Sequence, residues 1–404
     1  MKRRLLLVLT ILLSFSLIAA ACGDDDDTGS GDDSSGDDGS GDDSSDDDGT
    51  ADPGTSDDGT AGGASDVTAA FVYIGEPGDA GWTWAHDQGR QFAADQTGAD
   101  TLTVENIGEG SPEFDQAVRD FIADGADVIF ATSFGYMDAM EALAAEFPDV
   151  IFDHATGFKN NGENFGNYFG RIYQARYLTG LTAGAASESG DIGYVAAFPI
   201  PEVIRGINAF TLGVREANPD ATVTVNWTFT WFDPAVEGDA ADALLEGGAD
   251  VIAMHQDSTA AGEAAEAAGA RWVSYNSDMS AFAPDAYLSS AVWDWGPYYA
   301  SVIEQVAAGT YEGGAYWGGM DDGIVQLGSL AADVSDETKA QIDDLSQQMI
   351  DGTWDPFTGP INDQDGNEVI AAGEVPPDFG ADEEGRSLLD MNWFVEGVIG
   401  SANP

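Results

Sequence analysis

Gly125-Ala126-Asp127-Val128-Ile129 recurs 123 residues later as Gly248-Ala249-Asp250-Val251-Ile252. Each copy closes a helical stretch and opens a strand. A glycine past a helix end tolerates the left-handed turn that redirects the chain, and the Val-Ile that follows favours extended backbone. After each copy come a short polar loop, an Ala/Glu-rich helix and another apolar run, at 150–152 in the first half and 272–275 in the second. Working outward, further strand-like runs lie at 71–75 and 102–107, and then at 192–198 and 222–230. Short continuous apolar strands alternating with helices of about 10–15 residues predict parallel sheets covered on both faces. The sequence therefore predicts an α/β fold of two related Rossmann-like lobes. In open α/β sheets ligands lie beyond the carboxyl ends of the strands, so two such edges facing each other make a cleft.

The loops at those edges carry aromatic and polar residues together. After the first strand come Gly78-Asp79-Ala80-Gly81-Trp82-Thr83-Trp84, and Asp79 and Thr83 offer hydrogen-bonding groups at a helix start. Thr83 capping the helix and Trp82 packing on its own lobe is the alternative there. Ser133 and Phe134 follow the third strand, and His255-Gln256-Asp257-Ser258 hold the paired position in the second lobe. Trp231 and Phe232 end one strand, Asn276 and Asp278 follow another, and Trp293-Asp294-Trp295 follows a third. Flat rings gain stacking and apolar burial between aromatic faces, and Asp or Asn beside them reads donor groups. A planar, donor-bearing heterocycle suits this chemistry; a sugar also stacks on Trp and bonds to Asp.

Catalysis has little support. The three histidines, His86, His154 and His255, stand in neither HExxH nor His-x-His spacing, and there is no Gly-x-Ser-x-Gly elbow and no P-loop. The chain is read as a binding protein without cofactor or metal. Asp363-Gln364-Asp365-Gly366-Asn367-Glu368 lacks calcium-loop spacing, and its Asp-Gly between Ile361 and Val369-Ile370 predicts a hairpin turn.

The N-terminal part predicts location. Lys2-Arg3-Arg4 precedes the uncharged apolar run 5–21, and Ala19-Ala20-Ala21 precedes Cys22, the one cysteine of 404 residues. This reads as a lipoprotein signal peptide (1–21) with Cys22 as the acylated residue, an uncleaved signal anchor being the other reading. Residues 23–66 are Gly, Asp, Ser, Thr and Ala with one Pro, and cannot bury enough apolar surface to order themselves. Residues 22–66 are therefore expected to tether the folded part to the outer face of the cell membrane. Lobe 1 is expected at 67–190 plus about 291–325, and lobe 2 at 191–290 plus about 326–404. Acidic residues number 73 against 13 basic, a net charge of −60, and the only lysines after Lys2 are Lys159 and Lys339. Such a surface excludes nucleic acid, whose phosphates need Lys and Arg. Adaptation to high salt, where screening keeps an overcharged surface soluble, accounts for it best.

Several longer strings resemble the basic membrane protein family of ABC-transporter substrate-binding lipoproteins. They are 78–90, 131–136, Tyr168-Phe169-Gly170-Arg171-Ile172-Tyr173-Gln174-Ala175-Arg176-Tyr177, 198–210, Asn276-Ser277-Asp278-Met279 and Trp293-Asp294-Trp295-Gly296-Pro297. The resemblance runs from about 71 to 400. It implies a type I periplasmic-binding-protein fold, with lobes joined by three crossovers and closing on ligand. It also implies a purine base or nucleoside as ligand, and an ABC permease with its cytoplasmic ATPase as partners of a monomeric receptor. Residue by residue it implies ligand contacts at Asp79, Trp82 and Thr83, an opposing aromatic at Trp231 or Phe232, and a polar pair at Asn276 and Asp278. Ser133, Phe134, Asp257 and Trp293 complete the expected site. Nucleoside-binding relatives carry a Lys where this chain has Trp293-Asp294-Trp295, which points to a free, adenine-like base over a nucleoside. A sugar receptor of the same fold and a surface ligand sensor are the alternatives.

Overall fold

A computed structural model describes residues 63–404. The signal peptide, Cys22 and most of the expected tether lie outside the described residues. Among the described residues no helix is long and apolar enough to cross a membrane. The described chain enters through a short helical turn, Ala64–Asp66, and Ala64 already packs on the core.

The strands are β1 (Thr68–Val72), β2 (Asp100–Val104), β3 (Val128–Ala131), β4 (Ile151–Ala155), β5 (Phe165–Gly170), β6 (Asp191–Ala196), β7 (Thr222–Trp227), β8 (Val251–His255), β9 (Arg271–Asn276), β10 (Tyr287–Trp293), β11 (Ala315–Gly318), β12 (Val325–Leu327), β13 (Ile361–Asn362), β14 (Glu368–Ile370) and β15 (Val398–Ile399). The helices are α1 (Trp82–Thr97), α2 (Pro112–Ala123), α3 (Met137–Glu146), α4 (Tyr173–Ala186), α5 (Pro201–Ala217), α6 (Pro234–Glu246), α7 (Ala260–Ala268), α8 (Gly296–Ala308) and α9 (Asp336–Ile350). One sheet runs β11-β5-β4-β3-β1-β2 and the other β12-β10-β9-β8-β6-β7-β15. Every pairing in them is parallel except β10 with β12. Strand β1 corresponds to β6, β3 to β8 and β4 to β9, which is the duplication the sequence repeat predicts.

The repeated pentapeptide makes the same joint twice. Gly125 and Gly248 take positive φ, +94° and +109°. The amides of Ala126 and Ala249 close back on the Phe121 and Leu244 carbonyls. Asp127 and Asp250 then donate their amides to Thr68 and Asp191, and each enters its sheet. Helices flank both faces of each sheet: α1 with α8 and α2 with α3 on the first, α4 with α5 and α6 with α7 on the second.

The chain crosses between lobes three times, at 171–172, after β10 at 293–296, and between β11 and β12. The first crossing corrects the expected boundary at 190. Helix α4 packs on α5, β9 and β10 of the second sheet, so it belongs to lobe 2. The Asp-Gly turn joins the β13/β14 hairpin as expected, and β15 adds a parallel edge strand beside β7.

The α4–α5 contact is a backbone approach. A Cβ on Gly180 would overlap the Phe210 carbonyl, on Gly184 that of Val214, and on Gly213 that of Tyr177. These carbonyls are fixed by their own helices and cannot yield. Gly180→Ala is expected to cost about 1–3 kcal/mol through overpacking, read as a lower midpoint in urea unfolding.

Candidate functional site

The carboxyl ends of β1, β3, β6 and β8 meet in one slot between the lobes. Its lining is Ile74, Trp82, Ser133, Phe134 and Thr156 from lobe 1, and Glu202, Trp231, His255, Asp257 and Tyr275 from lobe 2. A wider vestibule adjoins it, sharing Ile74, Trp231 and Asp257 and adding Glu76, Asp79, Thr83, Phe198, Phe229 and Phe232. The lobes touch across the slot. A Cβ on Gly81 would overlap the backbone of Asp257, and Ser277 Oγ donates to the Ala80 carbonyl.

Five of the expected site residues form the slot. Trp82 opens α1, is buried, and donates its indole N–H to the Thr132 carbonyl at 2.6 Å. Its ring stands edge-on to His86 and Trp295, which fixes its plane. Phe134 is half-buried on the same lobe. The Ser133 hydroxyl donates to Glu109 at 2.6 Å, so Ser133 lines the slot with its donor already used. Trp231 faces them from lobe 2, propped by Phe198 at 5.0 Å between ring centres. Asp257 is buried and accepts from Asn276 Nδ2 at 2.9 Å. Burial, then the charges of Asp79 and Glu237, hold the Asp257 carboxyl well above the usual carboxylate range.

The others sit elsewhere. Asp79 accepts the backbone amides of Gly81, Thr83 and Trp84, each at 2.9 Å. Its carboxylate therefore holds the start of α1, and only its flank reaches the vestibule. Thr83 is buried at the vestibule wall, and its hydroxyl has no protein partner. Phe232 is 48 % exposed and borders the vestibule alone, so of the two candidates Trp231 is the wall of the slot. Asn276 stands behind Asp257 and orients it. Asp278 is exposed and accepts from the amides of Ser280 and Ser329, fixing a turn outside the slot. Trp293 stacks on Trp295 at 4.5 Å and packs on Phe169 at 4.8 Å, so it is hinge packing.

The sequence reading did not assign Ile74, Thr156, Glu202 or Tyr275 to the site, and it named His255 at the end of its strand without giving it a ligand contact. Glu202 lies in the first turn of α5, where the helix dipole favours a carboxylate. His255 Nε2 stands 3.5 Å from Glu202 Oε1. Burial pushes the His255 imidazole down to about 4, so it is neutral at physiological pH. Tyr275 packs on His255 at 4.4 Å between ring centres, and the Arg176 guanidinium carbon lies 3.5 Å from the centre of the Tyr275 ring. The signal available in the sequence was a lone Glu directly after Pro199-Ile200-Pro201 and a histidine ending a strand. Among the described residues no group of three or more His, Cys, Asp or Glu is disposed to hold a metal ion.

Comparison with known proteins gives the lineage. Residues 66–355 match the Bmp family, described as ABC transporter substrate-binding protein, PnrA-like. A putative ABC transporter glucose-binding protein of Haloferax volcanii is 43 % identical over 343 residues, covering 84 % of this chain and 83 % of the relative. A purine-binding protein of Brucella abortus is 41 % identical over 330 residues, covering 81 % and 91 %. Among solved structures, an ABC transporter solute-binding protein from Conexibacter woesei superposes with a TM-score of 0.60 at 24 % identity, covering 72 % of this chain and 98 % of that one.

Because Asp79 is a helix cap, its loss acts first on stability. Asp79→Ala leaves three amides of α1 without their acceptor and is expected to cost about 1–2 kcal/mol, measured by urea unfolding followed by tryptophan fluorescence.

Proposed function

The chain belongs to the Bmp family of ABC-transporter substrate-binding proteins, and on that premise we propose that its cleft captures an adenine-like purine base and delivers it to a membrane permease. The observation that carries the reading is the make-up of the slot. Five of its ten lining side chains bear flat rings (Trp82, Phe134, Trp231, His255, Tyr275), two bear carboxyls (Glu202, Asp257), and none is Lys or Arg. A flat heteroaromatic ligand gains apolar burial and ring contact from the first group, and its N–H donors meet acceptors in the second. A phosphate would meet Glu76, Asp79 and Asp257 at the vestibule, which disfavours nucleotides. The absence of a basic side chain, with Trp293 engaged in the hinge stack, supports a free base over a nucleoside. Kinship to the Brucella purine-binding protein supports the same class.

The glucose-binding name of the Haloferax relative favours a second reading, a sugar in the same cleft. In either case the protein is a receptor: ligand drawing the lobes together gives the permease a closed form to recognise. Anchoring at Cys22 and an outward-facing, monomeric state are parts of this proposal.

Isothermal titration with adenine, guanosine, AMP and glucose tests it. Saturable binding of adenine, weaker binding of guanosine and none of AMP is expected. Trp231→Ala should weaken adenine about tenfold or more, since one base–aromatic contact is worth roughly 1–3 kcal/mol, whereas Phe232→Ala should change it little. With His255 neutral well above its depressed pKa of about 4, its protonation should lower affinity only as the pH approaches 4. A change at higher pH would report Asp257, whose carboxyl burial holds well above the usual carboxylate range. Glucose binding without purine binding would replace the purine assignment with the sugar reading.

A further inference from the structure

Behind the slot wall, α4, α5, β6 and β8 enclose a niche lined by several buried polar atoms without protein partners. Arg176 is fully buried, and its Nη1 donates to the Met254 carbonyl at 2.7 Å. Its Nε and Nη2, the fork that elsewhere grips a carboxylate, have no partner. Tyr194 OH and His255 Nδ1 are buried and equally unpartnered. Three of these atoms converge on one point. A Cβ built on Gly206 would lie 3.6 Å from His255 Nδ1, 3.7 Å from Arg176 Nε and 3.9 Å from Tyr194 OH. A glycine in the middle of a buried helix thus leaves open a space ringed by polar atoms. A water held there, slightly further from the helix, gains the two to four polar partners that buried waters need.

The protonation pattern then follows from donor counting. Arg176 has only N–H groups to offer, so the water accepts from it. The guanidinium charge orients the water dipole with its hydrogens away from Arg176, one of them toward His255. Nδ1 must accept that hydrogen, which leaves the imidazole proton on Nε2. On the far side of the ring Nε2 faces Glu202 Oε1, an acceptor, so the same tautomer is favoured from both sides. The reverse tautomer would set a lone pair against the Glu202 carboxylate. Arg205 and Tyr275 also lie near the ring, and neither makes a hydrogen bond to Nδ1.

We infer that Arg176 is a positioning residue which, through a water seated beside Gly206, locks His255 as the Nε2–H tautomer and so fixes what the slot wall reads. The wall then presents one donor, His255 Nε2–H, beside one acceptor, Glu202. That pair matches a ligand edge with an adjacent acceptor and donor, such as a ring nitrogen beside an exocyclic amino group. With the proton on Nδ1 the wall would be acceptor beside acceptor and would reject that edge. The consequence for affinity rests on the purine reading; the tautomer does not.

Gly206→Ala is the test, in the full chain with 15N-labelled histidine. The added methyl lies in ordinary contact distance of its neighbours and replaces glycine by a better helix former, so the fold is retained. Only three histidines contribute resonances, and His255→Gln assigns the signal. The wild type is expected to show a protonated Nε2 and an accepting Nδ1. The methyl displaces the water, so Gly206→Ala should move the proton toward Nδ1 and weaken adenine about tenfold, the worth of one net hydrogen bond at a buried site. Arg176→Met should shift the same resonances. A wild-type proton on Nδ1, or a Gly206→Ala protein with unchanged tautomer and affinity, overturns the inference. If the wild type binds no purine at all, the ligand assignment falls, while the imidazole resonances still decide the tautomer.

Discussion

The contact of Gly81 with the backbone of Asp257 is the constraint on which the site depends. It is the point where the loop after β1 in one lobe meets the loop after β8 in the other, and no side chain fits between them. The Ser277–Ala80 hydrogen bond ties the loop after β9 to the same loop after β1. Because the lobes meet here, Trp82 and Trp231 become walls of one slot instead of surface aromatics on separate domains. The hinge side is equally filled. Trp293 and Trp295 stack, His86 lies against Trp295 at 4.7 Å, and His86 Nδ1 is 2.5 Å from Tyr299 OH, itself 2.8 Å from Tyr168 OH. Ligand recognition is therefore set between two rigid boundaries, a backbone contact at the mouth and an aromatic stack at the hinge.

Burial without ion pairing distinguishes the interior from the surface. The exposed face carries Arg119 between Asp115 and Glu146, and Lys159 between Asp138 and Glu141, pairs of small worth singly. Behind the slot, Arg176 and Arg205 are buried with carbonyl and ring partners, Met254 and Tyr275 for the first, Leu388 and Trp317 for the second. Burial lowers the Arg205 pKa, with Glu202 the leading charge opposing that shift. Polar groups retained at such cost are placed where they orient other groups, and here they lie next to His255 and Glu202.

The duplication was legible because its signal is local. A glycine at positive φ followed by Asp-Val-Ile makes its turn from its own backbone, so Gly125 and Gly248 announce two joints without any tertiary knowledge. Trp82, Ser133, Phe134, Trp231 and Asp257 were legible from their place at strand ends. Asp79 and Asp278 were not, because an aspartate that caps a backbone and one that awaits a ligand occupy the same kind of loop. Glu202 and Tyr275 were missed for the opposite reason: one reads as an ordinary first-turn acid, the other as the apolar end of a strand. The lobe assignment of α4 also escaped, since a helix buried nearly all round carries no face that says which sheet it covers, and its packing on α5, β9 and β10 decides.

Repetition of the fold does not extend to its chemistry. The repeated valines, Val128 and Val251, open β3 and β8, and the residue six positions on is Phe134 in one lobe and Asp257 in the other. Strands β4 and β9 pair with those valines at Ile151 and Arg271, and five positions further stand Thr156 and Asn276, both at positive φ, +66° and +68°. The first helix of lobe 1 begins with Trp82; the helix after β6 begins with Pro201-Glu202. Equivalent backbone positions thus hold apolar or small groups in lobe 1 and acids or amides in lobe 2. A ligand resting on lobe 1 alone gains burial without orientation, and one resting on lobe 2 alone leaves a face in water. Only the two lobes together supply both, which couples recognition of a ligand to the approach of one lobe to the other.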